Sequence, residues 1–191
     1  MGTRIHKGQI TDRSVVIEQS LAELGLQLHP DKTRIVYCKD DDRRGSYEHT
    51  SFDFLSYTFR PRLSKSRFGK YFVNFSPAVS GEAKTRMRRE MRRWGVARRS
   101  DKTLTDLALM FNRQLQGWIN YYGRFYKSML YPLLRRINEH LVRWAMRKYR
   151  RLRRREKRAG ELLAQASRRS PQLFAHWRLG LKPDGWTMGA G

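Results

Sequence analysis

Acidic residues are scarce in this chain. Seventeen Asp and Glu stand against 41 Lys and Arg, a formal net charge of +24 over 191 residues. Self-repulsion at that charge opposes a compact state, so a polyanionic partner is expected. Arginine heavily outnumbers lysine. The planar guanidinium fork matches phosphate and stacks on bases, which favours nucleic acid over a membrane surface. Cysteine is nearly absent as well. A lone Cys38 rules out an internal disulfide framework and a cysteine-rich zinc module. It is read as a small residue in a strand.

Metal-ligand and nucleophile patterns are also missing. His6, His29, His49, His140 and His176 are scattered without ligand spacing, and no nucleophile elbow or phosphate-binding loop occurs. His176, beside Trp177, is expected to be packed or hydrogen-bonded. Asp40-Asp41-Asp42 is the one carboxylate cluster, but it falls in a polar loop, whereas a two-metal site needs carboxylates on a rigid scaffold. No catalytic residue and no metal site is assigned. No apolar run is long enough to span a bilayer, and the N-terminal stretch lacks the apolar centre of a secretory signal. A cytoplasmic location is the default, with an organelle as the alternative.

What is abundant is aromatic and basic sequence at helical spacing. The densest stretch is Asn112 to Ser128. Leu104, Leu107, Phe111, Leu115, Trp118, Tyr122 and Phe125 recur at steps of three or four, which predicts one apolar face on a helix starting after Ser100 as N-cap. Arg113, Asn120, Arg124 and Lys127 occupy the other side. Before it, Ser80 caps a helix whose inner face is Ala83, Met87, Met91 and Trp94; Lys84, Arg86, Arg88, Arg89, Arg92 and Arg93 lie on its other faces, and Gly95 ends it. After it, Tyr131-Pro132 opens a helix with Leu134, Ile137, Leu141, Trp144 or Ala145, and Tyr149 inward. If continuous to Ala159 it would be roughly 40 Å long at about 1.5 Å per residue. Its last third, Arg147 to Arg158, is almost entirely basic. Ser170-Pro171 then precedes a short aromatic segment.

The N-terminal part is different. A short helix is expected from Thr11 or Asp12, with Ile17, Leu21 and Leu24 on one face and Gly25 as its stop. Thr33–Cys38, Phe52–Phe59 and Tyr71–Phe75 read as strands, the second ended by Arg60-Pro61. The fold class is therefore α+β: a small sheet with a helix, followed by a basic antiparallel three-helix bundle.

Several stretches resemble the group II intron reverse transcriptase/maturase family. LAELGLQLHPDKTRIV (21–36) and FDFLSYTF (52–59) resemble its late palm blocks, the second with Ser56 where the family usually has Gly. LQGWINYYGRFYKS (115–128) and LVRWAMRKY (141–149) resemble its maturase-specific domain, also called domain X or the thumb, and SPQLFAHWRLG (170–180) its C-terminal end. The blocks stand in the family's order. The resemblance implies a partial palm remnant at 1–75, a maturase-specific helical domain at 76–160 and a C-terminal appendage at 161–191. It also implies departures. The Tyr-x-Asp-Asp hairpin and the earlier Asp of the polymerase site are not here, and Tyr37 to Asp41 is no substitute, having one residue too many and following the Lys-Thr block. Lys32 matches a lysine that the family places near the incoming nucleotide; without the aspartates that role is empty. The chain is thus expected to act without polymerase chemistry of its own.

The resemblance implies an RNA-binding maturase-type module that helps intron RNA fold and splice, the RNA itself performing the transesterifications. The expected phosphate contacts are Arg86, Arg89 and Arg93; Arg113, Arg124 and Lys127; and Arg147, Arg150, Arg151 and Arg154. Trp118, Tyr121 and Tyr122 are expected to divide between core packing and a stacking contact. The expected partner is structured RNA, group II intron RNA in particular, and no cofactor is expected in the chain, Mg²⁺ entering through bound RNA or a complete polymerase. The alternative is a thumb-bearing fragment or subunit of an RNA-directed DNA polymerase, with an RNA–DNA duplex as ligand and a second chain supplying the missing palm. The sheet would then expose an edge.

Overall fold

The computed structural model describes residues 7–29, 33, 35–40, 42 and 47–183, with side chains from residue 15 onward. Lys32 and Asp41 fall outside that set. The chain divides into two compact units, 1–37 and 38–191.

In the first unit, α1 spans Lys7–Glu23. It begins earlier than the Thr11–Asp12 start expected from the sequence. Gly25 follows at φ 70°, the left-handed stop that glycine supplies without steric penalty. Ile17 and Leu24 are exposed. Residues 35–40 carry no strand, so the strand expected over Thr33–Cys38 does not form among the described residues. Its β-branched residues have the propensity, but a strand needs a partner to hydrogen-bond with.

The second unit begins with a three-stranded antiparallel sheet in the order β1-β2-β3: β1 Phe52–Phe54, β2 Tyr57–Lys65 and β3 Tyr71–Val79. Phe52–Phe59 is therefore a tight hairpin and not the single strand that its composition suggests. Leu55 and Ser56 make the turn at φ 47° and 66°, the geometry of a two-residue turn that normally selects Asn-Gly. Pro61 does not end β2. Beyond Phe59, β2 is paired on one side only among the described residues, which is where a strand tolerates proline.

Helices make the rest: α2 Gly81–Arg93, α3 Leu104–Tyr122, α4 Tyr131–Lys148 and α5 Glu156–Arg169. Ser80 caps α2, its hydroxyl accepting from the Ala83 N–H at 3.1 Å. Gly95 turns the chain at φ 58°. The cap of α3 is Thr103 and not Ser100: Thr103 Oγ1 accepts from the Asp106 N–H (3.1 Å) while Asp106 Oδ2 accepts from the Thr103 N–H (2.8 Å). This reciprocal box satisfies two otherwise orphaned donors. α3 ends at Gly123, which leaves Phe125 outside the helix and exposed.

α4 is the centre of the fold. Its buried residues come as neighbours, Leu133–Leu134, Ile137–Asn138, Leu141–Val142 and Trp144–Ala145. At 100° per residue they cover about half the helix circumference, wider than the stripe of a helix packed on one side. α4 packs on α2, on α5 and on the turns at 96–98, 127–130 and 150–152. The continuous helix to Ala159 does not form. The chain leaves the helix at Tyr149, Leu152 turns into the core, and Arg154 takes φ 60° before α5 begins. A continuous helix would have stacked arginines three and four apart along this run, and such like-charge pairs are unfavourable.

The segment after α5 belongs to the same core. Phe174, Ala175, His176 and Trp177 are buried, with Phe174 and Trp177 in contact at 4.8 Å. Asn138 of α4 organises the polar atoms there. Its Nδ2 donates to the Leu181 carbonyl (3.0 Å), and its Oδ1 accepts from Trp177 Nε1 (3.0 Å) and His176 Nε2 (2.8 Å).

Candidate nucleic-acid interface

The sequence-derived cations fall into three groups. The first is a flank of α2. With Ala83, Met87 and Met91 turned inward, Arg86, Arg89 and Arg93 share an exposed side. Arg86 Nη1 is 3.4 Å from Glu82 and its Nη2 donates to Ser56 Oγ at 2.6 Å, which ties the hairpin turn to the helix. Arg93 lies 3.6 Å from Glu90. These are solvent-exposed pairs three and four residues apart, worth a few tenths of a kcal/mol at most, and a phosphate can displace them. Arg89 has no ion-pair partner among the described residues.

The second group runs from the middle of α3 to the turn beyond it. Arg113 and Arg124 are exposed and Lys127 is half-buried, none of them ion-paired among the described residues. The aromatics beside them have separate fates. Trp118 is in the core, its ring parallel to Trp94 at 5.4 Å, with Trp94 in turn on Phe111 at 4.6 Å. Tyr122 is half-buried and edge-on to Tyr121 at 4.8 Å. Tyr121 remains 47% exposed, fixed by its hydroxyl, which donates to the Leu55 carbonyl (2.9 Å), and by its own carbonyl, which accepts from the Tyr57 hydroxyl. Burial and then the neighbouring Tyr121 and Tyr122 push the Tyr57 phenol up, so it stays a donor at neutral pH. Of the three aromatics, Tyr121 alone presents an exposed face held in place.

The third group lies where α4 ends. Arg147 and Arg150 line an open concavity of about 400 Å³ together with Lys148, Arg153 and Met146. Arg151 and Arg154 are exposed beside it in sequence. Lys148 is spent locally: Nζ donates to the carbonyls of Ser100 and Lys102, both at 2.9 Å, which anchors the loop before α3. Arg153, passed over by sequence reasoning as one of a run, joins Arg147 and Arg150 only because the helix breaks at Tyr149. Guanidinium groups converging on a concave, acid-free surface suit the bidentate geometry of phosphate. The Asp cluster offers no comparable arrangement: Asp41 is outside the described residues, and Asp40 Oδ1 accepts the Asp42 N–H at 3.2 Å.

The family model of the group II intron, maturase-specific domain matches residues 84–161. The matched stretch is similar to a maturase-specific domain. It begins within α2, contains all of α3 and α4, and ends in α5. All ten candidate phosphate contacts and the three aromatics lie inside it. No curated protein and no solved structure matches the chain. The match supports a group II intron maturase-type function, and among the described residues no helix is long and apolar enough to cross a membrane.

Proposed function

We propose that this chain is an RNA-binding module that holds group II intron RNA in a splicing-competent fold. The observation that carries the reading is the set of exposed, acid-free cations within the maturase-specific domain: Arg89, Arg113, Arg124, Arg147, Arg150, Arg151 and Arg154 have no ion-pair partner among the described residues. They are carried by α2, α3 and α4 and by the turns that follow α3 and α4, a scaffold on which side chains grip a folded phosphate backbone with little reorganisation. Tyr121 offers one aromatic face for an unstacked base. The RNA performs the chemistry, so the protein contributes surface and charge, and Mg²⁺ enters with the RNA.

The test is a filter-binding titration against a group II intron RNA and a length-matched unrelated structured RNA at two salt concentrations. With about six to ten phosphates held, affinity falls by roughly 10³–10⁵ between about 50 and 200 mM salt. A preference for the intron that survives competitor and higher salt supports the reading. Equal binding to both RNAs removes intron recognition from it.

A second reading is favoured by one observation. β1 is an edge strand whose Phe54 is 59% exposed, beside the exposed Leu55. An open apolar edge suits a chain that completes a reverse-transcriptase palm. Primer extension on mixing with a chain that bears the catalytic aspartates would support that reading.

A further inference from the structure

A fourth group of cations lies where the sheet meets α2, among residues that no sequence motif marks. Arg60 stands directly opposite Ser76 in the β2–β3 register, so their side chains share one face of the sheet. Arg62, two residues on, is only 8% exposed. Its Nε donates to the Ser76 carbonyl (3.2 Å), its Nη2 to the Thr58 carbonyl (3.1 Å), and the guanidinium lies 5.6 Å from the centre of the Tyr126 ring. Lys84 and Arg88, one helical turn apart on α2, face the same place. Burial first, and then Arg88, Arg60 and Arg62, hold the Lys84 ammonium below the usual lysine range; burial and then Arg60 do the same to Arg62, against an opposing contribution from Tyr126. Among the described residues no carboxylate enters either environment, and Glu82 and Glu90 are paired with Arg86 and Arg93 on the other flank of α2.

Two polar atoms in this cluster are buried and have no partner among the described residues, Ser76 Oγ and Arg88 Nε. An unsatisfied buried donor is unfavourable, and so is the approach of four like charges. A fold keeps both features where a ligand relieves them. The ligand must be anionic, must accept several hydrogen bonds at once, and must be small enough to reach a seam between a strand pair and a helix. A tetrahedral oxyanion meets all three conditions: its oxygens accept from an ammonium, a guanidinium edge and a hydroxyl, and its charge offsets the repulsion.

We propose that Arg60, Ser76, Lys84 and Arg88 form a binding site for a phosphate group, supplied by the RNA backbone, with Arg62 as the fixed cation behind it. The site rests on the RNA-binding reading for its source of phosphate. It places the strand pair on the RNA-facing side together with α2, and extends the footprint N-terminal of the maturase-specific match.

The test uses the full chain and the variant Lys84→Met, with Arg135→Gln, an exposed residue of α4, as control. Thermal unfolding is followed in chloride with and without inorganic phosphate at matched ionic strength. The wild type and Arg135→Gln gain equally in unfolding temperature with phosphate; Lys84→Met loses the share of that gain that this site supplies, yet unfolds no earlier than wild type in phosphate-free buffer because a like charge has gone. In RNA titrations the slope of log affinity against log salt falls by about one for Lys84→Met. A purely structural lysine gives the opposite pattern, earlier unfolding without phosphate and an unchanged slope, and would overturn the proposal. Loss of the phosphate gain with an unchanged slope overturns the RNA source and assigns the site to free phosphate. Loss of the gain in a chain that does not distinguish intron from unrelated RNA sustains the site while the maturase reading fails.

Discussion

The sheet and the helices of the second unit both carry many large apolar side chains and bury them to different degrees. Along the helices and the segment after α5, Trp94, Trp118, Trp144, Phe174 and Trp177 are buried in one continuous core. On the sheet, Phe52, Phe54, Leu63 and Tyr71 are exposed, while a guanidinium, Arg62, is buried. The difference does not lie in the residues. It lies in what covers them: α4 has neighbours on two sides, and among the described residues β1 has a partner strand on one edge only. Hydrophobic content therefore says that a segment needs a partner, and topology decides whether the chain supplies it.

The strongest test of this contrast compares two aromatic truncations. Trp177→Ala removes a side chain 1% exposed and its hydrogen bond to Asn138, and is expected to cost about 3–5 kcal/mol. Phe54→Ala, at a position 59% exposed, is expected to stay within about 0.5 kcal/mol. Urea denaturation midpoints of the two variants decide it. A large loss at Phe54 would mean that the sheet is covered in solution, by a second chain or a second copy.

The same contrast explains what was legible in the sequence. α2, α3 and α4 were, because their apolar residues recur at 3.6 and their ends carry local signals: Ser80, Gly95 and Pro132. Where a local signal competed with a better one it misled, as when Ser100 stood for the true cap at Thr103, three residues on. The hairpin at 52–59 was not legible, since Leu55 and Ser56 give no sign of a turn that ordinarily takes Asn-Gly. Nor was the break after Tyr149, which depends on charge repulsion and on Leu152 reaching the core. Of the candidate interface, the basic flanks could be read from helical spacing. The concavity of Arg147, Arg150 and Arg153 and the Arg60–Lys84 cluster could not, because one follows from the helix break and the other from strand register.

A second test addresses the polar centre of the helical region. Burial pushes the His176 imidazole down to about 3 from the ordinary 6.5, so it is neutral in the fold, and Asn138 Oδ1, already accepting from Trp177, selects the tautomer with the proton on Nε2. The unfolded chain binds that proton below about pH 6.5 while the folded chain does not until about pH 3. Stability therefore falls as pH drops through that window, by about 2 kcal/mol between about pH 7 and pH 5. His140, lowered by burial and then by Arg143 and Arg136, acts in the same direction. His176→Gln should flatten most of the dependence measured by urea titration, leaving the share of His140. A full dependence in that variant would locate the titrating group elsewhere.

The smallest effect sits on the sheet side and probes it most finely. Leu55 takes φ 47°, a conformation that a leucine adopts against its steric preference and an asparagine adopts readily. Its side chain is 65% exposed, so no packing is lost on replacing it. The contacts that hold the turn are made by other atoms: the Leu55 carbonyl accepts from Tyr121, and Ser56 Oγ accepts from Arg86. Leu55→Asn keeps both and is expected to raise stability by about 0.5–1 kcal/mol, read from the same denaturation midpoints. A loss of stability would mean that the leucine is gripped by something outside the chain's own core, which is also what a large loss at Phe54 would say. The two positions are adjacent on one hairpin, so they should agree; a gain at Leu55 with a loss at Phe54 would confine the covering partner to the strand and leave the turn free.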